Sequence, residues 1–409
     1  FDVKEISRLA TEELEARRFG SYTEKSQRYT KVRDGYHVPK ELDSEHTRMF
    51  QALETRRQEV YKEILQPLIS HHDTVNSHLD KKTRTNLAKE DARYVSSLAT
   101  KTQLGMTMNA RTLEHTIRKS AFSELEESRD LSKQIQEQVL PIAPSLIPLT
   151  DPIAFEKEFK RPLEDDMYKF SRKNLKSLVK EHTMENYFNS PQKEVKLTDR
   201  DPTDLYIVTA ILHKYSEESW ENCFQKAQEI ESSEKRNKEF FRKVFEPLGK
   251  HDSLPREFEE AKVSYEIILS ASAFAQLKRH RMSTLLSQDY NPGLSCTIPE
   301  SITETGLEPR LTEICDQSSE LFCKLQKEYG TTVSSYVLTN AHRRRVKLTT
   351  NIRELYHISR MRQDEHAQWD IRNIANQMTS LAQETEAISL ALLGGKHEFE
   401  KIKENFYKD

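Results

Sequence analysis

The chain has 409 residues, 35% of them apolar and 32% charged, so it can bury the cores of two or three domains and is not disordered throughout. Acids and bases nearly cancel, at 66 against 63, and a net charge of -3 gives no global pull toward nucleic acid or an anionic membrane surface. Nine glycines are too few for an all-β fold of tight turns or a glycine-rich dinucleotide fold, and no apolar run approaches the ~20 residues of a membrane span. No signal peptide is visible. Four cysteines without a CxxC pair read as those of a reduced, cytoplasmic protein.

In chain order, apolar positions three and four apart predict helices over 44–80, 110–140, 216–246, 310–328 and 353–390. Short β-rich runs predict strands at 94–98, 104–108, 263–269, 336–339 and 346–350. The stretch 141–204 carries PIAPSLIPLTDP, a charged helical segment at 156–185 and DRDP, which reads as a connector. The expected organisation is a first half over 1–150, a connector over 151–204 and a second half over 205–409. His71, His72 and His78 read as a solvated helix end, and no metal site is expected.

The two halves repeat one another. Residues 92–113, ARYVSSLATKTQLGMTMNARTL, match 334–355, SSYVLTNAHRRRVKLTTNIREL. Tyr94 precedes Asn109 by 15 residues, and Tyr336 precedes Asn351 by 15. Each copy ends in Thr-x-Asn-x-Arg and then opens a helix. Upstream, residues 1–18 match 264–281: a strand, a serine, then an amphipathic helix ending in arginine. Two ordered blocks in the same order indicate a duplication. The expected fold class is therefore α+β, with two similar halves, each a small antiparallel sheet flanked by long helices. The first copy opens in mid-strand at Phe1, so an equivalent leading segment is expected before it.

The second half concentrates donors to anions. Arg279, His280 and Arg281 follow a helix that carries Gln276. A second helix is expected from Asn351 through Arg353, His357, Arg362 and His366 into Ala367-Gln368-Trp369-Asp370-Ile371-Arg372. These residues resemble the flavin-dependent thymidylate synthases, whose pattern RHRxxSxNExSxRY is followed by an Asn-x-Arg helix, an Arg and HAQWEIR. His251 to Pro255 resembles the family's His-x-Ser/Thr-Pro loop with one insertion. After Arg281 the ExSxRY part of the pattern is lost. The first half resembles the complement: ARRFGSYTEKSQRY keeps Glu24, Ser26, Arg28 and Tyr29, and Asn109 and Arg111 are intact. Its counterpart of Arg362 is Ser120, and its HAQWEIR block reads as eroded.

The resemblance implies a composite site in which each half supplies what the other has lost. It assigns Arg362 to polarising the pyrimidine ring of dUMP. Gln276, Arg279, Glu24, Ser26, Arg28 and Arg93 are assigned to the nucleotide. Arg279, His280, Arg281, Asn351, Arg353, His357, His366, Asn109 and Arg111 are assigned to FAD. His357 and His115 stand where the family has an Asn. Methylenetetrahydrofolate and NADPH are the implied co-substrates. A homodimer of the fused chain would mimic the family's homotetramer, with no nucleic acid and no membrane among its partners. The alternative is a non-catalytic flavin- or nucleotide-binding paralogue that retains only the fold.

Overall fold

The computed structural model describes residues 1–26, 35–182 and 193–408. The chain forms two compact units, one of Phe1–Ser190 with Asp289–Arg343 and the other of Pro191–Gln288 with Arg344–Asp409. These units are not drawn along the sequence repeat, because a long segment of the second copy packs into the first unit.

In the first unit, strands β1 (Asp2–Ser7), β2 (Ser21–Glu24) and β3 (Lys101–Thr107) form an antiparallel sheet in the order β1-β3-β2. Thr102, Leu104 and Met106 of β3 are buried while Gln103, Gly105 and Thr107 are exposed, the period of two that a one-sided sheet requires. β1 runs straight into the helix Arg8–Glu15, capped by Ser7, whose Oγ accepts from the Ala10 amide at 3.0 Å. The long helix Ser44–Val75 buries Phe50, Leu53, Arg57, Val60, Ile64 and Leu68, spaced three or four apart along one stripe. The helix Glu308–Ser334 lies against it: Arg57 Nη2 donates to Ser318 Oγ at 2.8 Å, and Arg56 pairs with Glu313 at 3.2 Å. Gly330, at φ 77°, breaks that helix close to the 310–328 expected from periodicity.

The connector is partly structured within the same unit. Helix Pro152–Phe159 and the start of helix Met167–His182 close over Arg118, whose guanidinium pairs with buried Asp166 at 2.7 Å. The rings of Phe155, Phe159 and Tyr168 surround that guanidinium.

The second unit repeats the sheet. Strands β5 (Lys262–Ser270), β6 (Thr284–Tyr290) and β7 (Arg343–Asn351) stand in the order β5-β7-β6, matching β1-β3-β2, and β4 (Val195–Arg200) adds an antiparallel edge beside β5. Ser270 caps the helix Ala271–Leu277 as Ser7 caps its counterpart. Asn109 caps Ala110–Ser120 and Asn351 caps Ile352–Arg362, each accepting from the amide three residues on. The core of this unit packs Phe241, Phe245 and Phe258 with Tyr265, Ile267, Val346 and Leu348. The fold is thus α+β with two similar halves, each a small antiparallel sheet with flanking helices.

Several sequence expectations need correction. The runs at 94–98 and 336–339 are not strands. Each begins as a short 3-10 turn, Arg93–Val95 and Ser335–Val337, with its tyrosine completely buried. Residues 91–100 are buried without alternation, so their apolar character reflects enclosure on all sides rather than a sheet face. The two turns pair with each other inside the first unit. Leu98 N donates to Leu338 O at 2.8 Å and Asn340 N to Ser96 O at 2.9 Å, around the bridge Ser97–Thr339. These are equivalent positions of the repeat, so the contact maps onto itself when the copies exchange, as at a two-fold interface.

The long helical stretches are divided. 110–140 becomes Ala110–Ser120 and Glu126–Val139, 216–246 becomes Trp220–Glu231 and Glu234–Phe245, and 353–390 becomes Ile352–Arg362 and Trp369–Gln383. His72 is buried rather than solvated: its Nε2 lies 3.4 Å from Asp91, which the returning helix Lys81–Ala92 brings against it. No helix among the described residues is long and apolar enough to cross a membrane.

Candidate functional site

In the second unit, three elements converge. The helix Ala271–Leu277 ends one residue after Gln276. The turn behind it presents Arg279, His280 and Arg281, and the helix Ile352–Arg362 carries the remaining donors. Arg362, in the last turn of its helix, donates from Nε to His280 Nε2 at 2.9 Å and from Nη1 to Gln276 Oε1 at 3.0 Å. Two of its nitrogens are thereby held, and the planar fork is fixed in one orientation. His280 Nδ1 lies 3.2 Å from Glu354 Oε1. Because Nε2 accepts from Arg362, the ring proton sits on Nδ1 and donates to Glu354, which sets the tautomer. Burial, followed by the charges of Arg362, His357 and Arg279, holds His280 well below the usual imidazole value. The ring is therefore neutral near pH 7. Burial raises the Glu354 carboxyl, against the opposing pull of His357 and Arg353.

His357 is exposed on the helix, one turn from Glu354, with its ring centroid 5.4 Å from that of His280. Arg279 is exposed and Arg281 half-buried. Arg353 is engaged by the neighbouring loop. Its Nε donates to Leu254 O at 2.7 Å and its Nη1 pairs with Glu259 at 2.8 Å. Arg360 donates to Asp252 O. The helix thus fastens the 251–255 loop beside it through backbone carbonyls. His366 does not share the helix face expected for it. It lies in the turn between Arg362 and Trp369, with its side chain 86% exposed. A run that reads as one helix is broken there because the backbone amide of His366 is taken by Asp364 Oδ1 at 3.1 Å, a local turn that competes with helix.

In the first unit, Glu24 ends β2 and forms a buried ion pair with Arg8. Thr102 Oγ1 also donates to Glu24, at 3.4 Å. Ser26 is half-buried and Arg93 buried, with Arg93 Nε donating to Glu90 O at 3.2 Å. Arg28 lies outside the described residues. Asn109 is spent on its cap, and Arg111 and His115 are exposed on the helix it starts. The structure therefore groups Gln276, His280, His357 and Arg362. It sets Arg353 and His366 apart from them.

Sequence reading missed Arg8, Glu354 and one further pair. Ser270 Oγ donates to Asp370 in the second unit, while in the first Ser7 N and Oγ donate to Glu127 at 2.7 and 2.6 Å. Arg372 donates to Glu365 O, and Arg129 to Ser123 O and Glu124 O, each tying back the loop before its helix. The block that reads as eroded in the first half thus keeps its acid as Glu127 and its arginine as Arg129. A one-residue shortening after Asn109 hides the match, and allowing that gap would have found it.

Among the described residues, three clusters bring metal-ligand atoms within 4.8 Å of one another: Cys296, Cys315 and His342; His280, Glu354 and His357; and Asp43, His46 and Glu328. Around His280 the neighbouring guanidiniums favour an anionic or electron-rich ligand over a cation. His342 Nδ1 accepts the Thr339 amide at 3.0 Å, which leaves the ring proton on Nε2 beside Ser319 Oγ at 3.1 Å. That tautomer does not suit ligation through Nε2.

The chain matches the thymidylate synthase complementing protein family over residues 1–145 and 196–385. A flavin-dependent thymidylate synthase of Clostridium tetani is 32% identical over 157 residues, covering 37% of this chain and 62% of that protein. A UPF0159 protein of Chlamydia muridarum is 25% identical over 268 residues, covering 64% of this chain and 47% of the relative. The chain thus spans about half the length of the curated relatives it matches. The solved structure of a UMP/dUMP methylase, PolB from Streptomyces cacaoi with bound 5-Br dUMP, is 14% identical with a TM-score of 0.37, covering 52% of this chain and 93% of that one, a likeness too slight to argue from. With more than half its length matched, in one segment per copy of the repeat, the chain belongs to the thymidylate synthase complementing protein family.

Proposed function

We propose that this protein is a flavin-dependent thymidylate synthase that converts dUMP to dTMP with methylenetetrahydrofolate and NADPH as co-substrates and FAD as cofactor. The observation that carries this reading is the array Gln276–Arg362–His280–Glu354. A guanidinium whose nitrogens are held by a neutral imidazole and an amide is preorganised for negative charge developing on a pyrimidine carbonyl, and such a donor contributes a few kcal/mol. Had His280 been an imidazolium, its charge would oppose the guanidinium it now orients.

The donor set fits a flavin. Arg279 and Arg281 offer cations to phosphates and His357 offers a ring nitrogen to an electron-rich edge, while His280, both of whose ring nitrogens are engaged, orients Arg362 beside them. When bound, the flavin supplies the hydride that completes the methyl group. Gln276 and Arg362 hold the nucleotide ring, and Glu24, Ser26, Arg28 and Arg93 of the first half serve its sugar and phosphate. Asn109 and Arg111 complete the assignment in the first half, and the active form is a homodimer. One observation favours the second reading, a non-catalytic flavin or nucleotide binder: Glu24 is already engaged by Arg8. A dTMP-forming assay on the flavin-loaded protein, run beside Arg362→Ala, separates the two. Flavin retention without any dTMP from the unaltered protein would decide for the binder.

A further inference from the structure

The array of Gln276, Arg362, His280 and Glu354 is kept in one copy of the repeat and lost from the other. The matches of 1–18 to 264–281 and of Asn109 to Asn351 put Glu13 at the position of Gln276, Arg17 at that of His280, Thr112 at that of Glu354 and Ser120 at that of Arg362. Other polar positions of the same helix are unchanged: Asn351, Arg353, His357 and Arg360 recur as Asn109, Arg111, His115 and Arg118. Four side chains joined by hydrogen bonds in one copy, and all replaced in the other, form one device.

Within that device, Glu354 is the member to which no contact with flavin or nucleotide is assigned. It reaches Arg362 through the His280 ring, whose Nδ1 lies 3.2 Å from Glu354 Oε1 and whose Nε2 accepts from Arg362 Nε at 2.9 Å. A neutral imidazole carries one ring proton. On Nδ1, that proton leaves a lone pair on Nε2 for the guanidinium. On Nε2, it sets N–H against N–H, and Arg362 keeps Gln276 without the imidazole. The Glu354 carboxylate selects the first form. The His280 side chain is 3% exposed and that of Glu354 14%, so water is a poor replacement for the carboxylate.

We propose that Glu354 is a positioning residue for the proposed reaction: it touches neither substrate nor flavin, and it holds Arg362 in its working orientation by fixing the His280 tautomer. This role rests on the assignment of Arg362 given above. In Glu354→Leu the apolar side chain fills the space and accepts nothing, so the Nδ1 proton is stranded and the two tautomers approach each other in free energy. Whenever the proton is on Nε2, Arg362 loses an acceptor and its plane is no longer set. Transition-state stabilisation then falls while ground-state binding is kept.

The test compares the flavin-loaded parent with Glu354→Leu, His280→Gln and the double variant, reading the ring nitrogens of isotope-labelled histidine by NMR beside dTMP turnover. The His280 signals are those missing from His280→Gln. Expected are a parent ring protonated on Nδ1 and a Glu354→Leu ring protonated in part on Nε2, with flavin retained. Glu354→Leu lowers kcat by at least about fivefold with the KM for dUMP within about twofold, and by less than about twofold more in the His280→Gln background. A parent ring protonated on Nε2, a Glu354→Leu ring still wholly protonated on Nδ1, turnover of Glu354→Leu at the parent's rate, or the same loss of kcat with and without His280 would each overturn the proposal. A parent that forms no dTMP would refute the proposed function instead, and the tautomer spectra would then decide the role of Glu354.

Discussion

The residues that carry charge in this protein are sorted by burial, which is why the Arg279-His280-Arg281 run reads as three cations in sequence and as something else in the fold. Only His280 is buried, and it is neutral, so it orients Arg362 instead of competing with it for an anion. Arg362→Ala is expected to lower dTMP formation by roughly a hundredfold or more while flavin stays bound, measured as turnover beside the flavin absorbance. His342 behaves in the same way for stability. Burial and the Arg57 charge hold it down to about 3, against 6.5 when unfolded. Its contribution is complete above pH 6.5 and is lost as pH falls toward 3, because the unfolded chain takes up the proton first. At pH 5 that loss is about 2 kcal/mol. Chemical denaturation at pH 7 and pH 5 should therefore show His342→Gln losing about that much less than the parent on acidification. Equal losses would place the acid sensitivity elsewhere. His280 contributes with the same sign. None of this is legible in sequence, since tertiary burial decides which histidines are neutral.

Elements follow local chemistry where that chemistry is strong. The Thr-x-Asn-x-Arg motif announces both helix starts because Asn109 and Asn351 are caps in their own right. Asn109→Ala should cost about 1 kcal/mol by thermal or chemical unfolding, whatever its effect on flavin. The break at Gly330, at φ 77°, is local as well and lies two residues beyond the 310–328 that apolar spacing predicts. The turns at Tyr94 and Tyr336 were not legible, because a fully buried run has no period from which to tell a strand from a turn. The retained acid Glu127 was hidden by a single-residue shift, yet it accepts from Ser7 N, Ser7 Oγ and the Tyr336 hydroxyl at 2.8 Å. Replacing it with Ala strands three buried donors and should cost about 3 kcal/mol, against about 1 kcal/mol or less for the half-buried Glu126→Ala neighbour, whose carboxylate meets the exposed Lys40 at 3.7 Å.

At the scale of the whole molecule, the repeat was legible because two ordered blocks recur, and the sheets repeat their order β1-β3-β2 as β5-β7-β6. The compact units were not legible, because the Glu308–Ser334 helix of one copy packs on the Ser44–Val75 helix of the other, a non-local choice with no local signature. The symmetric pairing of 96–98 with 338–340 puts a two-fold contact inside one chain. The fused chain is expected to self-associate, with light scattering giving twice the chain mass; a mass of one chain would count against the proposed homodimer. The most direct test of the account is an anaerobic single turnover. Protein carrying reduced flavin is mixed with methylenetetrahydrofolate and dUMP, and flavin reoxidation and dTMP are followed together. The account predicts dUMP-dependent reoxidation with matching dTMP in the parent and flavin that stays reduced in Arg362→Ala. A parent whose flavin stays reduced with dUMP present, or an Arg362→Ala variant that reoxidises at the parent's rate, would contradict it.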